Sequence, residues 1–152
     1  MQAKALMDGI KTDVETNQYT TVTVRDIHYR VDFLLLRNST YSRVYCSTQD
    51  GSYRIIYRIT NPDPAAVIGI PGDANCASGT MLSSASPTVV EPLTTKQVPI
   101  SRMKFEGYYQ AGLELQLTML SLPKWEDVNS TVLSSGRELN FSQLIFNTYV
   151  SR

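Results

Sequence analysis

Leu113-Glu114-Leu115-Gln116-Leu117-Thr118-Met119 alternates apolar and polar residues without interruption. In a strand, successive side chains point to opposite faces, so Leu113, Leu115, Leu117 and Met119 share one side and Glu114, Gln116 and Thr118 the other. That is the pattern of a half-buried antiparallel strand, and it carries no catalytic group. Alternating segments around 98–105 and 139–150 flank it, and together they predict antiparallel strands over 93–152.

Toward the N-terminus the period changes. Ala3, Leu6, Met7, Ile10 and Val14 recur at three- and four-residue steps, which predicts an amphipathic helix over 1–18. Lys4, Asp8, Lys11 and Asp13 fall to the remaining surface, and Leu6, Met7, Ile10 and Val14 form the face expected to dock on a sheet. Gly9 weakens such a helix by about 1 kcal/mol relative to alanine, so its stability must come from docking. From Tyr19 to residue 60 strands are expected. Val22 and Val24 are followed by Ile27, Tyr29, Val31, Phe33 and Leu35, with a change of parity that predicts a bulge or break near Asp26. Leu34 and Leu36 interrupt the alternation, which fits a strand covered on both faces or a short intervening helix. A turn at 38–41 leads to a strand through Val44 and Cys46. Gln49-Asp50-Gly51 then turns the chain into Tyr53, Ile55, Tyr57 and Ile59, completing a hairpin. Between 61 and 92 five prolines and three glycines break any period. Long irregular loops are expected there, with short strands at 67–70 and 80–82. The expected fold is α+β, one domain over 1–152: an N-terminal helix packed on an antiparallel sheet, with a loop region carrying contacts.

Composition excludes several function classes. At 152 residues, with 42% hydrophobic and 18% charged content, the chain suits one domain with a core of useful size. Fourteen basic and fourteen acidic residues cancel, so no global field draws it to nucleic acid or to an anionic membrane. No apolar run approaches the ~20 residues that cross a bilayer, and the N-terminus lacks a signal-peptide core. Cys46 and Cys76 lie 30 positions apart and either close one long loop or stay as two free thiols.

Few residues suggest catalysis. The single histidine, His28, shares a parity with Asp26, Arg30 and Asp32, the arrangement of a polar strand face; a nucleophilic site needs a base within reach of an activated Ser or Cys. One His and two separated Cys do not make a zinc site. The glycines of 69–79 lack the lysine and the strand-to-helix frame of a phosphate loop. Glu91, Glu106, Glu114, Glu126 and Asp127 are scattered and read as solvated charges. No cofactor, metal or enzymatic activity is expected. Asn38, Asn129 and Asn140 open N-glycosylation triplets, a slight pointer to export in a chain so rich in Ser and Thr. Trp125, after Leu122 and Pro123, is either a loop anchor for a partner or the cover of a core edge.

The order of these segments resembles a known family. A leading helix stripe is followed by Asp50-Gly51-Ser52-Tyr53-Arg54-Ile55-Ile56-Tyr57-Arg58-Ile59, then by Pro92-Leu93-Thr94 and Val98-Pro99-Ile100-Ser101-Arg102-Met103-Lys104-Phe105. A strand at 113–121 comes next, and the chain closes on Phe141-Ser142-Gln143 through Thr148-Tyr149-Val150-Ser151-Arg152. This looks like the globular domain of minor type IV pilins and type II secretion pseudopilins. The resemblance covers roughly 44–60 and 92–152. It implies a structural subunit of an extracellular filament or pseudopilus that works by protein–protein contact with other assembly subunits, as a hetero- or homo-oligomer. It also implies that 1–16 is the exposed end of a longer helix whose apolar part, absent here, would be the sole membrane contact. The 61–92 region and the loop after residue 121 would then be recognition surfaces. The alternative is a viral structural protein, such as a phage tail or head-completion subunit, located in the virion; a small ligand-binding or enzymatic domain is the third class. A formed disulfide favours export and the first reading, whereas free thiols favour assembly in the cytosol.

Overall fold

The structure, a computed structural model, describes residues 2–25, 33–108, 110–121 and 137–151. Helix α1 spans Gln2–Thr16, and Asn17 N–H makes its last bond to the Asp13 carbonyl. Gln18 then takes a left-handed φ of 57°, which turns the chain away from the helix axis. Strands β1 (Thr21–Arg25), β2 (Phe33–Arg37), β3 (Ser42–Asp50) and β4 (Tyr53–Asn61) follow. Next come β5 (Val67–Ile68), a short helix α2 (Asp73–Ser78), β6 (Leu82–Ser83) and β7 (Val89–Pro92). The chain ends with β8 (Ile100–Tyr108), β9 (Gly112–Ser121), β10 (Arg137–Phe146) and β11 (Val150–Ser151). The fold is α+β, and its sheets are mostly antiparallel.

Six strands form the main sheet in the order β11-β1-β2-β3-β4-β7, with β11 parallel to β1 and the other pairs antiparallel. The β3–β4 turn is tight because Gly51 supplies the positive φ, 63°, that a two-residue loop needs. β10, β9 and β8 form a second, three-stranded antiparallel sheet, and β5 and β6 a small ribbon.

The main sheet separates two apolar cores. On one side Leu34, Leu36, Tyr45 and Ile56 meet Met7, Ile10 and Val14 of α1 and Met103, Phe105, Leu113, Leu115 and Leu117 of the three-stranded sheet. On the other, Phe33, Leu35, Val44, Cys46 and Ile59 meet Ala66, Cys76, Met81 and Leu82 from the 61–92 excursion. β2 therefore buries all four residues from Phe33 to Leu36, and its broken alternation is the mark of a strand covered on both faces.

Four expectations need correction. Asp13 does not lie on the outer surface of the helix; it is buried. The helix stops at Thr16, not 18. The segment 139–150 is two strands in two sheets, because Asn147, Thr148 and Tyr149 turn the chain from β10 to β11. The 61–92 region holds α2 and β7 as well as short strands near the two places expected, because the Cys76 bond and the second core give its backbone something to fold against. The expected break near Asp26, His28 with its acidic neighbours, and Trp125 all lie outside the described residues.

Candidate functional site

Three features stand out on this frame: a buried polar cluster under α1, a groove beside it, and an apolar end on the three-stranded sheet. In the cluster, Asp13 Oδ1 accepts from Tyr19 Oη at 2.7 Å, Arg43 Nη1 at 2.9 Å and Asn17 Nδ2 at 2.5 Å. Its Oδ2 accepts from Tyr45 Oη at 2.5 Å. Tyr41 completes the group, with its hydroxyl 3.1 Å from that of Tyr19 and its ring 4.7 Å from the Arg43 guanidinium. Burial works to raise the Asp13 pKa, but hydrogen bonds from Tyr45 and Tyr19 and the charge of Arg43 outweigh it, and the carboxyl is held below its ordinary value. Burial and the neighbouring carboxylate push both tyrosines well above theirs. Asp13 thus stays anionic, the tyrosines stay neutral donors, and none of them is poised to trade protons near neutrality. The cluster is a staple that fixes the C-terminal half of α1 to β3.

Beside the staple, a groove of about 460 Å³ opens between α1, β3, β4 and the connection from β7 to β8. Leu6, Ile10, Leu93 and Val98 make its apolar lining; Tyr45, Arg58, Thr94 and Thr95 make its polar lining. Arg58 forks onto Glu91 of β7, Nη2 to Oε2 at 2.8 Å and Nε to Oε1 at 3.3 Å. Ile56 N–H donates to Thr94 Oγ1 at 2.9 Å, which ties the groove to the central sheet.

On the outer face of the three-stranded sheet, the register sets Tyr108, Gly112 and Phe146 in one row and Glu106, Glu114 and Leu144 in the next. Leu144 is 50% exposed, Phe146 66% and Tyr108 42%, and Tyr149 in the following turn is 55% exposed. Helix α1 guards the β10 edge beside them: Lys11 Nζ donates to the Leu144 carbonyl at 3.2 Å, and Phe146 N–H donates to Glu15 Oε2 at 3.0 Å. Lys11 also lies 5.4 Å from the Phe146 ring centre.

Of the residues singled out in the sequence, Cys46 on β3 and Cys76 on α2 are joined in a disulfide, both fully buried. Met7, Ile10 and Val14 are buried in the first core, and Leu6 packs against its border. Asn38 spends its side chain on a turn, donating to the Asn17 carbonyl and accepting from Thr40 and Tyr41 N–H, whereas Asn140 stands exposed on the outer face. Among the described residues no group of three His, Cys, Asp or Glu converges as a metal site, and no helix is long and apolar enough to cross a membrane. The polar cluster and the groove were missed. Asp13 lies seven residues after Leu6, two helical turns on and so almost on the same side, and that placement on the apolar border was the available signal. Compared with protein-family models, curated proteins and solved structures, the chain matches none.

Proposed function

We propose that this chain is a structural subunit of an extracellular assembly, a filament or secretion pseudopilus of minor-pilin type, and that it acts by protein–protein contact. The observation that carries the reading is the apolar end formed by Tyr108, Leu144, Phe146 and Tyr149. Large aromatic side chains left in water on a rigid sheet are the composition of an interface core, while the protein's zero net charge leaves apolar contact and shape to supply the affinity. Val67 and Ile70, exposed on the 61–92 excursion, offer a second contact region on the far side of the main sheet.

The Cys46–Cys76 disulfide supports the compartment in this reading, since such bonds persist outside the reducing cytosol. The staple at Asp13 supports the mechanism: it holds α1 rigidly to the sheet, so a longer helix entering a filament would carry the whole domain with it.

The test uses the cells that encode the protein. Thiols are alkylated during lysis, and surface and soluble fractions are compared for the native chain and for Phe146→Asp. The reading expects oxidised cysteines, native chain in a sedimentable surface assembly, and loss of the variant from it with folding intact. Reduced cysteines, with rings or tubes formed in the cytosol, would instead support the viral structural alternative.

A further inference from the structure

The groove beside the staple takes no part in that contact surface, and its chemistry is specific. Gly9 sits in its helical wall, where an added Cβ would meet no atom within 4 Å. Glycine in mid-helix costs about 1 kcal/mol against alanine, and no neighbour among the described residues requires the missing side chain. The space above Gly9 is therefore available to an occupant. The polar lining presents hydrogens rather than lone pairs. Thr94 is 8% exposed; its oxygen already receives Ile56 N–H, and its own O–H has no acceptor among the described residues. Thr95 Oγ1 receives Gln97 N–H at 3.3 Å. The Tyr45 proton goes to Asp13. Arg58 has five N–H donors and no acceptor, and its two bonds to Glu91 leave others unspent.

We infer that this groove binds a small apolar carboxylate. The body of the ligand lies on Leu6, Ile10, Leu93 and Val98 over Gly9, and its head accepts from the Thr94 hydroxyl and from Arg58. A volume of about 460 Å³ suits a molecule of this kind. A buried donor without an acceptor is costly, and a carboxylate oxygen removes that cost. Glu91 competes with the ligand for the Arg58 fork, and its half-exposed side chain is free to swing into water when the head arrives.

The experiment titrates the ¹⁵N-labelled chain with sodium octanoate, phenylacetate and 4-phenylbutyrate, and with octylammonium chloride as the cationic control. At least one carboxylate is expected to give saturable shifts at the Gly9, Thr94 and Thr95 amides, and octylammonium none. Gly9→Leu fills the groove from an exposed helix position and is expected to keep the fold while weakening binding by about tenfold or more, the equivalent of 1.4 kcal/mol. Glu91→Gln, which removes the competitor, is expected to tighten it severalfold. The inference is overturned if no carboxylate saturates, if octylammonium binds as well, if Gly9→Leu folds and binds unchanged, or if Glu91→Gln weakens the carboxylate.

Discussion

Asp13 is the residue whose loss this fold should tolerate least. Its carboxylate takes donors from the connection between α1 and β1 and from β3 at once, and a buried charge pair broken on one side typically costs about 3–5 kcal/mol. Asp13→Ala is expected to lower the denaturation free energy by roughly that amount, because the Arg43 charge is left behind. Urea unfolding of the two chains measures it. The pH dependence follows from the sign of the shift. The carboxyl pKa in the folded protein lies below the ordinary aspartate value, so on acidification the unfolded chain takes up the proton first. The stabilisation is full above that value and fades as pH falls through the lower, folded pKa. Thermal midpoints of the native chain should therefore drop on acidification below about pH 4, and Asp13→Asn should flatten that part of the curve. A sequence shows helical spacing but not partners, so Asp13 reads as an outer-surface charge, although its spacing from Leu6 sets it on the border of the stripe, and not as the centre of a cluster drawn from residues 17, 19, 43 and 45.

Among the elements, those with a clean period were easiest to read. The alternation of β9 and the Asp50-Gly51 turn of the β3–β4 hairpin come from local rules that one strand or one turn satisfies alone. β7, α2 and β11 were not legible because each is short and depends on a distant partner: β7 on β4, β11 on β1, and α2 on the bond from Cys76 to Cys46. That bond closes a loop of 30 residues under the second core. In the chain-entropy model it stabilises the fold by about 3–4 kcal/mol. Paired Cys46→Ala and Cys76→Ala substitution should cost about that much in equilibrium unfolding, and limited proteolysis should then cut first within 61–92, while the core between α1 and the three-stranded sheet persists. At the other edge, removing Lys11 and Glu15 together should change stability by less than about 1 kcal/mol, since the pair is only partly buried. The same double change should raise concentration-dependent association, read by light scattering, because it uncovers the Leu144 carbonyl and the Phe146 N–H on β10.

For the whole molecule, the six-stranded sheet acts as a partition. One core packs a helix and a second sheet, the other packs a disulfide-bonded excursion, and the apolar end that neither core covers stays exposed. The fold class could be read from hydrophobic periods because burial obeys them; the site could not, because Tyr108 on β8 comes into one row with Phe146 on β10 only through the register of both with β9. The central claim is that this end is buried against another subunit outside the cytosol. A photo-crosslinking amino acid placed at Phe146 in the encoding cells tests it most directly, with one at Lys96, an exposed position elsewhere on the chain, as the control. The account predicts high-mass adducts to a single class of assembly subunit from position 146, in a fraction where the cysteines are oxidised, and none from position 96. A chain that stays monomeric and uncrosslinked at 146, in a reducing compartment, would contradict it.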